Sequence, residues 1–127
     1  MTWRLLSAEV VEAIHDAVLN ESELPGRARD ESLESALARV DNRLAYGMIG
    51  DVFDLAAAYA DAIARGHFFN DANKRAAYEA AVVVLELNGT ALQLDTADIG
   101  PRIVALAQGA LDPDDLAARL RRKAGGG

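Results

Sequence analysis

An all-α fold, a compact bundle of about six helices with an apolar central helix, is what this chain predicts. Three observations point to it. Alanine is frequent and only three prolines occur in 127 residues, a balance that favours helix. Aromatic residues make up 6% of the chain, too few for a β-rich sandwich. Apolar residues recur at helical spacing in one segment after another. The length suits one domain with one core, expected over residues 1–124, with Gly125–Gly127 as a flexible tail.

The elements follow in order. Ser7 can cap a first helix whose apolar positions are Val10, Val11, Ile14 and Leu19. Asn20 to Arg29 contains Pro25-Gly26 and reads as a polar loop. A second helix is predicted from Asp30 to about Ala45, with Leu33, Leu37, Val40 and Leu44 along one stripe. Asp51 caps a third, which carries Val52, Leu55, Ala58, Tyr59 and Ile63 and stops at Gly66. His67 to Asp71 is a break. The fourth helix, Ala72 to about Leu87, is apolar nearly all round and is expected at the centre of the bundle. Thr90 to Leu94 reads as extended or a short strand. A fifth helix is predicted over Asp98 to Leu111, with Pro101 in its first turn. Asp112-Pro113 opens the last, whose basic end suits the negative pole of the helix.

The formal charge of −7 and pI near 4.7 argue against general nucleic-acid binding. There is no cysteine, which excludes disulfides, thiolate metal sites and a Cys nucleophile. The N-terminus lacks the apolar core of a signal peptide, and no run approaches a membrane span. The expectation is a soluble cytoplasmic protein.

The informative stretch is His67-Phe68-Phe69-Asn70-Asp71-Ala72-Asn73-Lys74-Arg75. It spans a loop and the first turn of a helix, where free backbone N–H groups and the helix dipole attract anions. Lys74 and Arg75 put two cations at that end, where each opposes the dipole by about 0.3–1 kcal/mol when exposed. A polyphosphate would repay that arrangement. Asp71 offers a carboxylate for Mg²⁺, which prefers carboxylate, phosphate and water oxygens. His67 can take a proton near neutral pH. Each residue also has a structural reading. Asp71 could be the N-cap, Arg75 could pair with Glu79, His67 could be a loop or capping group, and Asn70 could be a turn residue. Phe69 anchors the loop in the core on either reading. His15 in the first helix reads as structural or surface, Trp3 as a packing lid, and Asp112, Asp114 and Asp115 as helix-capping charge.

The stretch resembles the signature of the Fic/Doc family. In the Fic branch that signature reads H-x-F-x-(D/E)-G-N-G-R-x-x-R, matched by His67, Phe69, Asp71, Asn73 and Arg75. Ala72 and Lys74 stand where that branch has glycines, and Tyr78 where it ends in arginine. All three departures follow the Doc branch, H-x-F-N-D-A-N-K-R, which Asn70 also matches. Ala64-Arg65-Gly66 and Leu24-Pro25-Gly26 are similar to Doc-type sequences too, and the similarity spans nearly the whole chain.

The resemblance implies a Fic fold and a toxin kinase that transfers the γ-phosphate of ATP, or another nucleoside triphosphate, to a hydroxyl of a translation protein, elongation factor Tu. It implies His67 as general base and Asp71 as Mg²⁺ ligand. Asn73, Lys74 and Arg75 become phosphate-binding residues, with Phe69, Asn70 and Ala72 supporting the motif. It also implies a Phd-like antitoxin whose disordered tail folds into a groove on the toxin. The self-inhibitory pattern (S/T)-x-x-x-E of many Fic proteins is not found at Ser7, Ser22, Ser32 or Ser35, so control is expected from another chain. Ala72 and Lys74 narrow the backbone approach that glycines allow, which favours presentation of the γ- over the α-phosphate. The alternatives are Fic-type AMP transfer through the same residues and a catalytically silent, antitoxin-binding helical module.

Overall fold

The computed structural model of the chain describes residues 2–28 and 32–125. Six helices follow one another: α1 (Ala8–Val18), α2 (Leu33–Ala45), α3 (Val52–Arg65), α4 (Asn73–Leu87), α5 (Thr96–Ala107) and α6 (Pro113–Ala124). The all-α expectation holds, with no strand among the described residues; Thr90 to Leu94 is irregular rather than extended into a ladder. None of these helices is long and apolar enough to cross a membrane.

Local capping chemistry sets most of the boundaries. Ser7 accepts the Val10 N–H, and Asp51 accepts that of Asp54 at 2.9 Å. Asp112 and Asp115 form a reciprocal capping box at the start of α6, with Pro113 in the first turn. α2 starts later than expected because Ser32 is its cap, accepting from Ser35 N–H. Asp30, the expected first residue, lies outside the described residues, as do Arg29 at the end of the predicted loop and Gly126 and Gly127 of the predicted tail. Gly125 is the C-cap of α6.

α5 is displaced towards the N-terminus of its predicted span. Asp95 caps it through Ala97 N–H at 2.9 Å, and Gly109 ends it in a left-handed turn at φ 73°. Pro101 therefore falls in the second turn, not the first. Its ring removes the backbone bond that would reach the Ala97 carbonyl.

The core corrects one expectation about the centre of the bundle. α3 is the enclosed helix: it buries residues on every side, including the unbroken run Leu55 to Ala60, and packs against α2, α4, α5 and α6. α4 lies alongside it, burying Ala76, Ala77, Ala80, Ala81, Val84 and Leu85, and keeps a solvent side at Lys74, Arg75, Glu86 and Leu87. Small alanines on the shared face let the two axes approach closely. Each large core side chain, such as Leu55, Ile63 or Leu85, contributes about 1.5–3 kcal/mol by its burial. Trp3 is half-buried against this core.

The basic end of α6 does more than face its own dipole. Arg121 bridges Asp51 and Asp54 at the start of α3, while Arg119 and Lys123 join Arg102 on Asp98 of α5. The Arg119 guanidinium, with Lys123 beside it, holds the Asp98 carboxyl below its ordinary range. These ties fix α6 against α3 and α5, the scaffold from which the next loop springs.

Candidate active site

The chain leaves α3 at Gly66 and turns into the loop that leads to α4. Gly66 is required sterically: a Cβ there would lie 2.0 Å from the Phe68 ring. Phe68 and Phe69 are both buried and pin the loop from beneath, the role expected for Phe69. His67 and Asn70, on either side of that pair, remain exposed.

Asn73 closes the loop on itself. Its Oδ1 accepts the Phe69 N–H at 3.1 Å and its Nδ2 donates to the Phe69 carbonyl at 3.0 Å. Both polar ends of the amide are thus committed to the backbone. The segment around Pro25-Gly26 is stitched alongside. Ala28 N–H donates to Phe68 O, Asn70 N–H to Gly26 O, and the Asn70 amide to Pro25 O. An isolated antiparallel bridge joins Arg27 and Phe69.

Ala72 is the N-cap of α4, in the left-handed conformation at φ 66° and ψ 26°. It is the one non-glycine residue with positive φ among the described residues, a state that costs about 1–2 kcal/mol. Ala72 supplies no capping side chain, and the first turn of α4 contains no acid. The first turn of α4 is thus without a side-chain cap, the kind of helix start at which backbone N–H groups and the dipole can receive an anion. Asp71 is accordingly not the N-cap. It is half-buried, and its Oδ2 accepts the Leu24 N–H at 2.9 Å.

A cavity of about 340 Å³ opens over this helix end. His67, Asn70, Asp71, Ala72, Asn73 and Lys74 line it, facing Ala64 and Arg65 at the end of α3 with its C-cap Gly66, and Ala107 at the end of α5 with its C-cap Gln108. His67, Asp71 and Lys74 therefore border one space. Arg75 does not join them. Its guanidinium forms a two-armed ion pair with Glu23 and donates to the Val18 carbonyl at 2.7 Å. The pairing with Glu79 is not formed. Arg75 holds the Glu23 carboxyl well below its ordinary 4.5, at about 2, with help from the Asn20 N–H.

Asp71 supplies a carboxylate, with one oxygen already accepting from Leu24, and a Mg²⁺ ion is commonly held by one or two carboxylates plus phosphate oxygens and water rather than by an all-protein cage. Among the described residues no group of three or more His, Cys, Asp or Glu side chains forms such a cage.

Three contributors were not legible beforehand. Arg65 and Gln108 line the cavity from the ends of α3 and α5; Arg65 stood in the Doc-like Ala64-Arg65-Gly66 segment without a role, and no local pattern marks Gln108. His15 is fully buried and touches the loop from behind, its Nε2 at 2.7 Å from the Asp71 carbonyl. The available signal was its spacing from Val11, which puts both on the apolar face of α1.

Comparison with known proteins gives two findings. Residues 5–85 match the Fic/DOC family. The chain is also similar to the protein kinase doc of Escherichia phage P1, with 38% identity over 120 residues, covering 94% of each chain.

Proposed function

The chain belongs to the Fic/DOC family, and from that premise we propose that it is a Doc-like toxin kinase, moving the γ-phosphate of ATP to a hydroxyl on a translation protein such as elongation factor Tu. The observation that carries this reading is the meeting of His67, Asp71 and Lys74 on one cavity at an uncapped helix start. The similarity to a protein kinase over nearly the full length of both chains supports phosphoryl transfer in particular.

The steps follow from the residues. The triphosphate lies against the first-turn N–H groups of α4, with the Lys74 ammonium neutralising phosphate oxygens. Asp71 is the side chain that would hold Mg²⁺, which when bound adds positive charge against the phosphates. His67 takes the proton of the incoming hydroxyl as its oxygen bonds to the γ-phosphorus. The bond from that phosphorus to the β–γ bridging oxygen breaks, and the nucleoside diphosphate leaves. Most of the rate comes from positioning and charge neutralisation. Arg75 binds phosphate in this scheme by exchanging Glu23 for the nucleotide. Asn73 acts by holding the loop through its two bonds to Phe69.

Control by a Phd-like antitoxin completes the proposal, since the chain has no self-inhibitory helix motif at the serines that could start one. The deciding experiment incubates the purified chain with Mg²⁺, elongation factor Tu and ATP labelled at either the α- or the γ-phosphate. Label from the γ position appears on the target; label from the α position would show AMP transfer instead.

A further inference from the structure

We propose that His15 is a positioning residue for phosphoryl transfer, holding the catalytic loop in register from behind; this rests on the kinase reading above. His15 sits on α1 with no exposed surface. Its Nε2 lies 2.7 Å from the backbone oxygen of Asp71. A carbonyl only accepts, so Nε2 carries a proton; the other ring nitrogen is Nδ1. That Nδ1 is buried with no hydrogen-bond partner. Asp16 Oδ1, itself an acceptor, lies 3.7 Å from it, beyond hydrogen-bond distance.

A buried polar atom left unpaired is a cost to folding. Leucine or phenylalanine would fill the same space without it. What the imidazole gives in return is confined to the loop. It fixes the Asp71 backbone, and its ring stacks on Phe69 at 3.8 Å with the planes 7° apart. Leu24 holds the Asp71 carboxylate from the front. Asp71 is thereby fixed at two points, backbone and side chain, and His67 lies between the two pinned parts of α3 and Phe69. Small displacements of such groups are expensive for transfer.

The test compares His15→Phe, which keeps burial and ring stacking but removes the donor, with His15→Gln, whose amide nitrogen can take the place of Nε2. The Phe variant is expected to melt close to the wild type, to keep its KM for ATP, and to lose about tenfold or more in kcat. The Gln variant is expected to recover most of that loss. Wild-type kcat in a folded Phe variant, or no recovery with Gln, overturns the proposal. Imidazole nitrogen NMR of the wild type supplies a readout independent of variants and of activity. A neutral His15 with its proton on Nε2 supports the assignment, and one with its proton on Nδ1 overturns it. A wild type that transfers no phosphate to any target would instead overturn the kinase reading, while the NMR readout still judges the bond to Asp71.

Discussion

Arg75 donates to both carboxylate oxygens of Glu23, and the pair holds its guanidinium away from the cavity that Lys74 lines. A nucleotide that recruits Arg75 must displace Glu23. Glu23→Gln weakens that competitor, and since exposed ion pairs are modest in strength the KM for ATP should fall by up to about fivefold. Initial-rate measurements should show kcat nearly unchanged. An unaltered KM would mean that Arg75 stays with Glu23 throughout the reaction.

His67 is exposed on the cavity wall and contributes little to the core. His67→Ala should therefore leave the thermal melt within a few degrees of wild type. A general base is worth about 10²–10⁴-fold in rate, so phosphotransfer should drop by that factor. Quantified γ-label transfer together with circular dichroism checks both halves; an active, folded variant would remove His67 from the chemistry.

Gly66→Ala tests the steric basis of the loop. The new methyl would enter the space of the buried Phe68 ring, an overpacking that costs about 1–3 kcal/mol. Because the shift starts one residue before His67, activity should fall further than stability. Chemical denaturation and rate measurements on the same preparation separate the two. Backbone strain plays no part, as Gly66 has φ −92°.

Acid should weaken the fold in a defined window. Glu23 is held at about 2 by Arg75, against an ordinary 4.5. Glu34 is lowered by Arg27, Asp51 by Arg121 and Asp98 by Arg119. A carboxyl depressed by folding stabilises fully above its unfolded value, and that stabilisation is lost as pH falls through its folded value. Stability should therefore decline from about pH 4.5 towards pH 2. Urea midpoints across that range should show the decline, and Glu23→Gln should make it shallower.

The parts legible in the sequence are those decided within a few residues. Ser7, Asp51 and Asp112 announce their helices because a cap bonds only to the turn it opens. The cavity-lining set from His67 to Lys74 was legible because one short segment supplies it. Pro101 was misplaced because Asp95, upstream of the residue chosen as the start, wins the capping position. α4 looked central because its composition is apolar, yet the Ala-rich α3 is the enclosed helix; which of two apolar helices is surrounded depends on how the others pack. Arg75 with Glu23 and His15 with Asp71 depend on α1 and the segment after it folding back, which spacing alone does not encode.

Residues 15 and 71 are 56 positions apart, and α1 reaches the rest of the protein chiefly through α4, with a slighter contact to α2. α1 thus carries two separate ties to the loop and its flank, His15 to Asp71 and Val18 to Arg75, so loosening this one helix would release both at once and deform the loop. On gentle heating, phosphotransfer is expected to fade below the temperature at which helicity is lost; simultaneous loss of the two would mean that α1 unfolds together with the core it shares through Val11 and Ile14.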